Sequence, residues 1–247
     1  TTAKNPEDVK FLAAEGFSRV VVARENSFEE IKKIKEQSNT ELEVFVSGAM
    51  CVSYSGKCYM SSFIGGRSGN KGLCAQPCRK SYSSSGTSGY LLSPKDQLFG
   101  KKEIEKLMEA GVDSIKIEGR MKDEKYVYET VKYYRNLVNG LEYEAKTEKL
   151  FNRGYSKGYF YGENSSLINS SYSFDFGYIA ALPLQNGNIK LLENIVCGDG
   201  VTFIDKNKNV ISGCYISKII NSSREKVKEA KKGEEVSIGS LPKGTEE

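Results

Sequence analysis

Residues 42–51 read LEVFVSGAMC, a run of β-branched and aromatic residues that ends in glycine, alanine and a cysteine. The apolar part of this stretch, Leu42–Val46, predicts a short buried strand. A second strand is predicted at Ser114–Glu118, after a helical pattern over residues 102–110 that stops at Gly111. Strands that alternate with helices of this length predict parallel strands with helices outside them.

Further strand and helix signals flank this stretch. Strands are predicted at residues 19–23 and 89–92, and helices are predicted to start at Asn5-Pro6, at Ser27 with Glu30 as a capping box, and at Asp123. Four strands alone would leave open sheet edges, which natural sheets avoid. The predicted fold class is therefore α/β, the C-terminal part of a TIM-type barrel followed by a small antiparallel β domain. Because the chain opens on Thr1 rather than Met, we expect a fragment that lacks an N-terminal part.

The composition changes along the chain and predicts three regions. Residues 1–150 are expected to form the partial barrel with a cysteine-bearing loop, and residues 151–169, rich in glycine and tyrosine at their start, a linker. Residues 170–247 contain short β-type runs with frequent turn signals, which predicts a C-terminal β-barrel-like domain. Residues 81–88 are rich in serine and glycine and predict a flexible loop.

The composition is that of an ordinary globular protein. Of 247 residues, 38% are hydrophobic and 28% charged, and no apolar run approaches the roughly 20 residues of a membrane helix. We therefore expect a cytoplasmic protein without a membrane partner. The net charge of +4 permits nucleic-acid binding without arguing for it. Histidine is absent, which excludes, for this segment, hydrolases and metal sites that depend on histidine.

Four of the six cysteines fall within 28 residues: Cys51, Cys58, Cys74 and Cys78. Cys51 follows the end of a predicted strand, which in an α/β barrel is the active-site face. Several glycines lie between the cysteines and allow tight turns that aim backbone N–H groups at sulfur. We interpret the group as ligands of a 4Fe-4S cluster.

Three alternatives stay open for these cysteines. Structural zinc on four thiolates is chemically possible, although the gap between Cys51 and Cys58 is wide for a zinc site. Two disulfides would need an oxidising compartment, and inert buried thiols would not need so glycine-rich a loop. Cys197 and Cys214 lie in the β-rich tail and are interpreted as ordinary thiols.

Several sequence blocks resemble peptidase family U32, the collagenase-like peptidases of unassigned catalytic type. The blocks are Glu43–Ser61, Gly66-Arg67, Gly72–Arg79, Leu92–Asp96, Lys116–Lys122 and Asn152–Ser156. The resemblance covers residues 1–165, and the tail resembles the C-terminal domain of longer members. Members often have histidine directly before the Gly-Ala of the signature, where this chain has Ser47.

The resemblance implies a TIM-type barrel, a cluster on the four cysteines and one of two activities. Some members are described as proteases that act on collagen. Others are oxygen-independent hydroxylation factors for RNA or a quinone precursor, and those that hydroxylate the tRNA wobble uridine, forming 5-hydroxyuridine, are closest in layout. These hydroxylases take oxygen from prephenate, a dicarboxylate that suits arginine and lysine partners.

Charged residues in the family blocks are the remaining candidates. Lys116, Glu118 and Arg120 are the expected catalytic group, since a charged pair on an interior barrel face is costly unless it is paired or functional. A structural ion pair is the alternative. The expected substrate-binding residues are Arg67, Arg79, Lys95 and Arg153, and Lys80 and Lys122 add to the basic approach surface.

We expect an enzyme that hydroxylates RNA, such as the tRNA wobble uridine, with prephenate as a second substrate. Peptide hydrolysis is the first alternative, but it needs an activated nucleophile or a metal-bound water. Nothing in this segment singles one out, and four-thiolate ligation leaves no open metal position. A non-catalytic scaffold stabilised by its metal is the second alternative.

Overall fold

The structure is a computed structural model that describes residues 2–119, 122–141, 143, 149–162, 166–175, 177–206 and 209–245. The chain divides into two compact units, Thr1–Asp175 and Phe176–Glu247. No described helix is both long and apolar enough to cross a lipid bilayer.

The first unit mixes helices and strands. Its helices are α1 (Pro6–Ala14), α2 (Phe28–Glu36), α3 (Met60–Gly65), α4 (Lys101–Glu109) and α5 (Glu124–Val138). Its strands are β1 (Arg19–Val21), β2 (Glu41–Ala49), β3 (Tyr82–Ser84), β4 (Thr87–Gly89), β5 (Asp96–Leu98), β6 (Ser114–Ile117) and β7 (Tyr155–Ser156). The mixed α/β class is confirmed.

The helix starts follow from local capping. The Asn5 side chain accepts from the backbone N–H of Asp8 at the start of α1. Ser27 and Glu30 form a reciprocal capping box at α2, and Asp123 caps α5. Each of these satisfies N–H groups that have no partner inside the helix, and the predicted helix starts are confirmed.

β2 is the centre of the main sheet. It pairs in parallel with β1 and with β6, and its last residues, Ser47–Ala49, pair antiparallel with β5. β7 runs parallel to β5 at the edge of the sheet. The predicted parallel pairing is confirmed for β1, β2 and β6, while β5, a strand that was not predicted, adds an antiparallel pair.

Two local predictions are also wrong. Residues 81–88 are not a plain loop, since β3 and β4 form an antiparallel hairpin in which Tyr82 faces Gly89. Residues 90–92 are not a strand. The hairpin turn, Ser85-Gly86, has positive φ at both residues, which matches the twist of paired strands.

Apolar side chains from β2 and four helices form the core of this unit. Leu42, Val44 and Val46 alternate along β2 and are buried. They pack in one cluster with residues of α1, α2, α4 and α5, among them Val9, Ile31, Ile34, Ile104, Leu107 and Tyr134. The Tyr134 hydroxyl donates to the Val46 carbonyl at 2.8 Å, which ties α5 to the central strand.

The described strands do not close into a barrel. β1, β2, β5, β6 and β7 form one open five-stranded sheet. The TIM-type barrel stays a prediction.

The segment 151–169, for which the sequence predicts a linker, lies within the first unit. It contributes β7 to the main sheet, and Phe160 is buried in the same core as β2. This glycine- and tyrosine-rich segment is therefore packed, with the Phe160 ring against the rings of Phe28 and Phe99.

The second unit contains short antiparallel strands. These are β8 (Ala181–Pro183), β9 (Ile189–Leu191), β10 (Ile195–Val196), β11 (Gly200–Ile204), β12 (Val210–Tyr215), β13 (Ile219–Ile220), β14 (Lys226–Val227), β15 (Glu229–Ala230) and β16 (Glu235–Val236). They pair as β8–β9–β16, β10–β15, β11–β12 and β13–β14. Ile189, Leu191, Ile216 and Ile219 are in its core.

Candidate functional site

The end of β2 is shaped by one glycine. Gly48 has φ +109°, and a Cβ there would lie 2.5 Å from the Glu118 carbonyl oxygen. Only glycine allows the backbone at the end of β2 to approach the backbone after β6 this closely. The approach sets the direction in which the chain continues to Met50, which is buried, and to Cys51.

The position where the family often has histidine is buried beside a tyrosine. Ser47 is 2% exposed, and its hydroxyl lies 3.2 Å from the hydroxyl of Tyr126 on α5. Burial raises the pKa of the Tyr126 phenol, so it stays neutral near pH 7.

Hydrogen bonds tie the cysteine-bearing segments together. The Ser61 hydroxyl on α3 accepts from the backbone N–H of Ala75 at 2.9 Å. The Asn70 side chain donates to the Gly56 carbonyl at 3.1 Å. Gln76 has φ +54° and its N–H donates to the Cys74 sulfur at 3.3 Å. A backbone N–H that points at a thiol sulfur is a contact that stabilises a bound thiolate.

All four cysteines are free thiols, so the disulfide alternative has no support in the described residues. Burial raises the pKa of Cys51, with the neighbouring Cys58 and Cys74 raising it further and Arg24 lowering it. Burial also raises the pKa of Cys78, where Arg79 lowers it and the other three cysteines raise it. Charges on neighbouring cysteines thus act on both Cys51 and Cys78.

Zinc and a 4Fe-4S cluster make different demands on the four thiols. Among the described residues, no three cysteine, histidine or carboxylate groups converge closely enough to hold a single metal ion. A tetrahedral zinc ion with 2.3 Å bonds would need sulfurs roughly 3.8 Å apart. A 4Fe-4S cluster binds each thiolate to a different iron and so holds the sulfurs farther apart. A 4Fe-4S cluster and structural zinc therefore both stay predictions for the four thiols.

Arg24 lies beside this end of β2 and was missed in the sequence. Its guanidinium donates to the Ala49 carbonyl and to the Glu118 carboxylate at 3.1 Å. It stacks 3.9 Å from the centre of the Phe45 ring. Burial lowers the pKa of Arg24, an effect opposed by Glu118 and by Cys51. The residue brings a positive charge next to the first cysteine.

Of the predicted catalytic residues, Lys116 and Glu118 are each paired with a residue outside the group. Lys116 lies 3.0 Å from the Glu43 carboxylate on β2, and Glu118 pairs with Arg24. Both side chains are about two-fifths exposed, at 41% and 40%. Arg120 lies outside the described residues. Nothing in these contacts tests a catalytic role, which stays a prediction.

A buried carboxylate gathers three of the basic residues. Asp96, at the start of β5, lies 3.3 Å from Arg153, 3.8 Å from Lys122 and 4.0 Å from Arg79. The Asp96 side chain is 3% exposed, and those of Arg79 and Lys122 are 9% exposed. We call these four residues the Asp96 cluster.

The cations of the Asp96 cluster are held by carbonyl groups. Arg79 donates to the carbonyls of Pro94 and Met50, and Arg153 donates to that of Ser173. Lys122 donates to the Phe151 carbonyl at 3.2 Å and lies 3.7 Å from the centre of its ring.

Positive charge exceeds negative charge in the Asp96 cluster. Burial lowers the pKa of Lys122 to about 8, with Arg153 and Arg79 lowering it and Asp96 and Asp175 raising it. One carboxylate within the cluster faces three cations, so the arrangement favours a further anion.

The other predicted binding residues lie elsewhere. Arg67 is exposed, and its Nε donates to the Leu73 carbonyl at 3.0 Å in the cysteine loop. Lys95 is half-buried next to Asp96 in sequence. Sequence reasoning found Arg79 and Arg153 but missed Asp96, although it stands in a block quoted for the resemblance.

Comparison with known proteins gives the family. The model of peptidase family U32 matches residues 1–169. The chain is 32% identical to the 23S rRNA 5-hydroxycytidine C2501 synthase of Escherichia coli, over 83% of this chain and 35% of that protein. It is 37% identical to tRNA hydroxylation protein P1 of Bacillus subtilis, over 64% of this chain and 43% of that protein.

A third relative has a different name. The chain is 34% identical to a collagenase of Porphyromonas gingivalis, over 64% of this chain and 45% of that protein. The chain thus spans less than half the length of these three relatives. No solved structure matches it. Because the family model matches more than half of its residues, the chain belongs to peptidase family U32.

Proposed function

We propose that this chain is part of an enzyme that hydroxylates an RNA base, such as the tRNA wobble uridine, without molecular oxygen. In this proposal Cys51, Cys58, Cys74 and Cys78 hold a 4Fe-4S cluster, and prephenate provides the oxygen atom. The observation that carries the proposal is the position of the four free thiols beside a buried excess of positive charge.

The chain offers groups that would support a cluster on the four thiols. Arg24 and Arg79 bring positive charge to Cys51 and Cys78, which favours their thiolate forms. The N–H of Gln76 already donates to the Cys74 sulfur. A bound cluster would supply one-electron transfer next to the reacting base.

The Asp96 cluster supports a dicarboxylate co-substrate. Arg79 and Arg153 present guanidinium groups that pair with carboxylates, and Lys122 adds a point charge. Asp96 keeps the three cations together when no anion is bound. A doubly negative ligand would bring the net charge of the four groups from +2 to zero.

The reaction balances with an oxygen donor other than O2. Replacing a ring C–H bond by C–OH removes two electrons from the base and adds one oxygen atom. The compound that gives up the oxygen atom accepts those two electrons. Lys116, Glu118 and Arg120 are proposed to hold or protonate groups of the base or the donor.

The collagenase relative makes peptide hydrolysis the second candidate. The chain has no histidine, and the exposed thiols Cys51 and Cys74 would be its nucleophiles. Burial raises the pKa of Cys51, which weakens it as a nucleophile at neutral pH.

Iron and sulfide content after anaerobic purification tests the cluster. We expect both elements in the intact protein, visible iron–sulfur absorption, and their loss in Cys74→Ala. Cys214→Ala, an exposed thiol of the second unit, is the matched control and should keep both. Metal content without sulfide would favour zinc, and equal content in both variants would remove the proposed ligand set.

Anaerobic incubation with unmodified RNA and prephenate tests the activity. Nucleosides from the RNA should gain the mass of one oxygen atom only when prephenate is present. Arg153→Gln should raise the prephenate concentration needed for half-maximal rate, whereas Arg19→Gln, an exposed arginine paired with Glu41, should not. Gelatin cleavage that survives Cys74→Ala, with no RNA product, would favour the peptidase. A bound cluster with neither activity would favour the scaffold.

A further inference from the structure

Two aromatic side chains at α3 are exposed to solvent. Tyr59 precedes the helix and Phe63 lies four residues later, so both point from the same face. Phe63 is 94% exposed and Tyr59 is 66% exposed. The opposite face is anchored through Ser61, which is 4% exposed and bonded to Ala75. The two rings are therefore exposed although the opposite face of the helix is held in place.

The chain segment that contains α3 carries charge of one sign. No aspartate or glutamate occurs from Val44 to Lys95, although the chain has 32 acidic residues in all. The same segment contains six basic residues: Lys57, Arg67, Lys71, Arg79, Lys80 and Lys95. Lys57, Arg67, Lys71 and Lys80 are exposed. A surface of this kind attracts polyanions.

We propose that α3 and its adjoining loop form a binding surface for single-stranded RNA. We call it the α3 surface and define it by Tyr59, Phe63, Lys57, Arg67 and Lys71. RNA bases stack on the rings of Tyr59 and Phe63, and the long side chains of the lysines and the arginine bring positive charge to the phosphates. The choice of RNA as the polyanion rests on the proposed function.

The combination of aromatic rings and basic groups favours RNA over other partners. Exposed rings in a segment without acidic residues suit the π-faces of bases joined by negative phosphates. A duplex keeps its bases stacked on each other and offers only phosphates. Stacking accepts any base, so the α3 surface would hold the strand beside the reacting nucleotide without choosing its sequence.

The location connects the α3 surface with the cysteines. Tyr59 follows Cys58 directly, and Ser61 is bonded to the residue after Cys74. RNA on the exposed face of α3 would therefore lie close to two of the four thiols, those of Cys58 and Cys74. This brings the strand to the proposed reaction centre.

Fluorescence anisotropy with a labelled single-stranded RNA of roughly 12 nucleotides tests the proposal on the whole chain. Phe63→Ala and Tyr59→Ala should each weaken binding by about 5- to 100-fold, since stacking on an aromatic ring contributes that much per base. Tyr59→Phe should bind like the unchanged protein. Phe17→Ala, at a ring 57% exposed after α1, is the matched control and should have no effect.

Salt dependence supplies a second readout. The slope of the logarithm of the affinity against that of salt concentration should become shallower by about 0.7 for Lys57→Gln and again for Lys71→Gln. Unchanged slopes would overturn the phosphate contacts. Equal affinity for duplex RNA would overturn the stacking.

Other occupants of the α3 surface would give distinct results. Self-association abolished by Phe63→Ala, with no RNA binding, would assign the surface to a second copy of the chain. RNA binding lost in Tyr215→Ala, an exposed ring of the second unit, but retained in Phe63→Ala would overturn the proposal. Binding needs neither prephenate nor turnover. Phe63-dependent binding without hydroxylation would thus reject the proposed function alone.

Discussion

Replacing Asp96 with asparagine removes a carboxylate that lies within 4.0 Å of all three cations of the Asp96 cluster. The substitution keeps the size and much of the hydrogen-bonding capacity of the side chain, so its main effect is the loss of one negative charge. The three buried cations then repel one another, and Asp175, which acts on Lys122, offsets only part of this repulsion. We expect the first unit to lose stability.

The distances set the size of the effect. At an effective dielectric constant of about 20, unit charges at 3.3, 3.8 and 4.0 Å attract by about 5, 4 and 4 kcal/mol. The cost of taking the carboxylate out of water cancels most of this sum. Removal of one partner from a buried ion group typically costs about 3–5 kcal/mol. That corresponds to a fall in Tm of roughly 6–20 °C for a unit of this size.

Urea and thermal unfolding followed by circular dichroism measure the change. Glu105→Gln, which breaks an exposed pair with Lys101 on α4, is the control and should change the free energy of unfolding by less than about 1 kcal/mol. Prephenate should not destabilise Asp96→Asn or Glu105→Gln. It should raise the Tm of the unchanged protein by mass action. A loss below about 1 kcal/mol in Asp96→Asn would refute the inferred charge excess.

Three further predictions follow from single contacts. The pKa of Lys122 is lowered from 10.5 to about 8, so the unfolded chain binds more protons than the folded one between these pH values. The free energy of unfolding, relative to that of Lys122→Met, should therefore rise by roughly 3 kcal/mol from about pH 8 to about pH 10.5. A difference that stays constant with pH in urea titrations would contradict this. Gly48→Ala forces a Cβ to within 2.5 Å of the Glu118 carbonyl at a positive φ, which should cost more than about 2 kcal/mol in unfolding experiments and reduce iron content. Tyr126→Phe removes the buried hydrogen bond to Ser47 and should cost about 1 kcal/mol, whereas no loss would show that the Ser47 hydroxyl has another partner.

Sequence reasoning succeeded where the structural cause is local. The capping residues Asn5, Ser27 and Asp123 lie within three residues of the N–H groups they satisfy, so the helix starts could be predicted. The strand β2 could be predicted because a short continuous apolar run is typical of a buried strand.

The elements missed in the sequence depend on distant partners or on an uncommon turn. β5 consists of Asp96, Gln97 and Leu98, two of them polar, and its pairing with residues 47–49 and with β7 makes it a strand. The hairpin turn Ser85-Gly86 has serine where asparagine is the common signal, so its positive φ could not be anticipated. For β5, tertiary pairing outweighed local propensity.

The candidate site divides in the same way. The four cysteines lie within 28 residues, and their spacing alone indicated a shared site. The members of the Asp96 cluster come from positions 79, 96, 122 and 153, and only the fold brings them together. Basic residues could be named as binding candidates, but their common carboxylate could not.

Arg79 joins the two halves of the site. It follows Cys78, donates to the carbonyl of Met50 just before Cys51, and lies 4.0 Å from Asp96. Its backbone carbonyl also accepts from the Ser173 hydroxyl at 2.6 Å. A displacement of the cysteine loop would therefore move the guanidinium that faces the proposed dicarboxylate. Because binding at two coupled sites is reciprocal, an anion in the Asp96 cluster should in turn order the loop that carries Cys74 and Cys78.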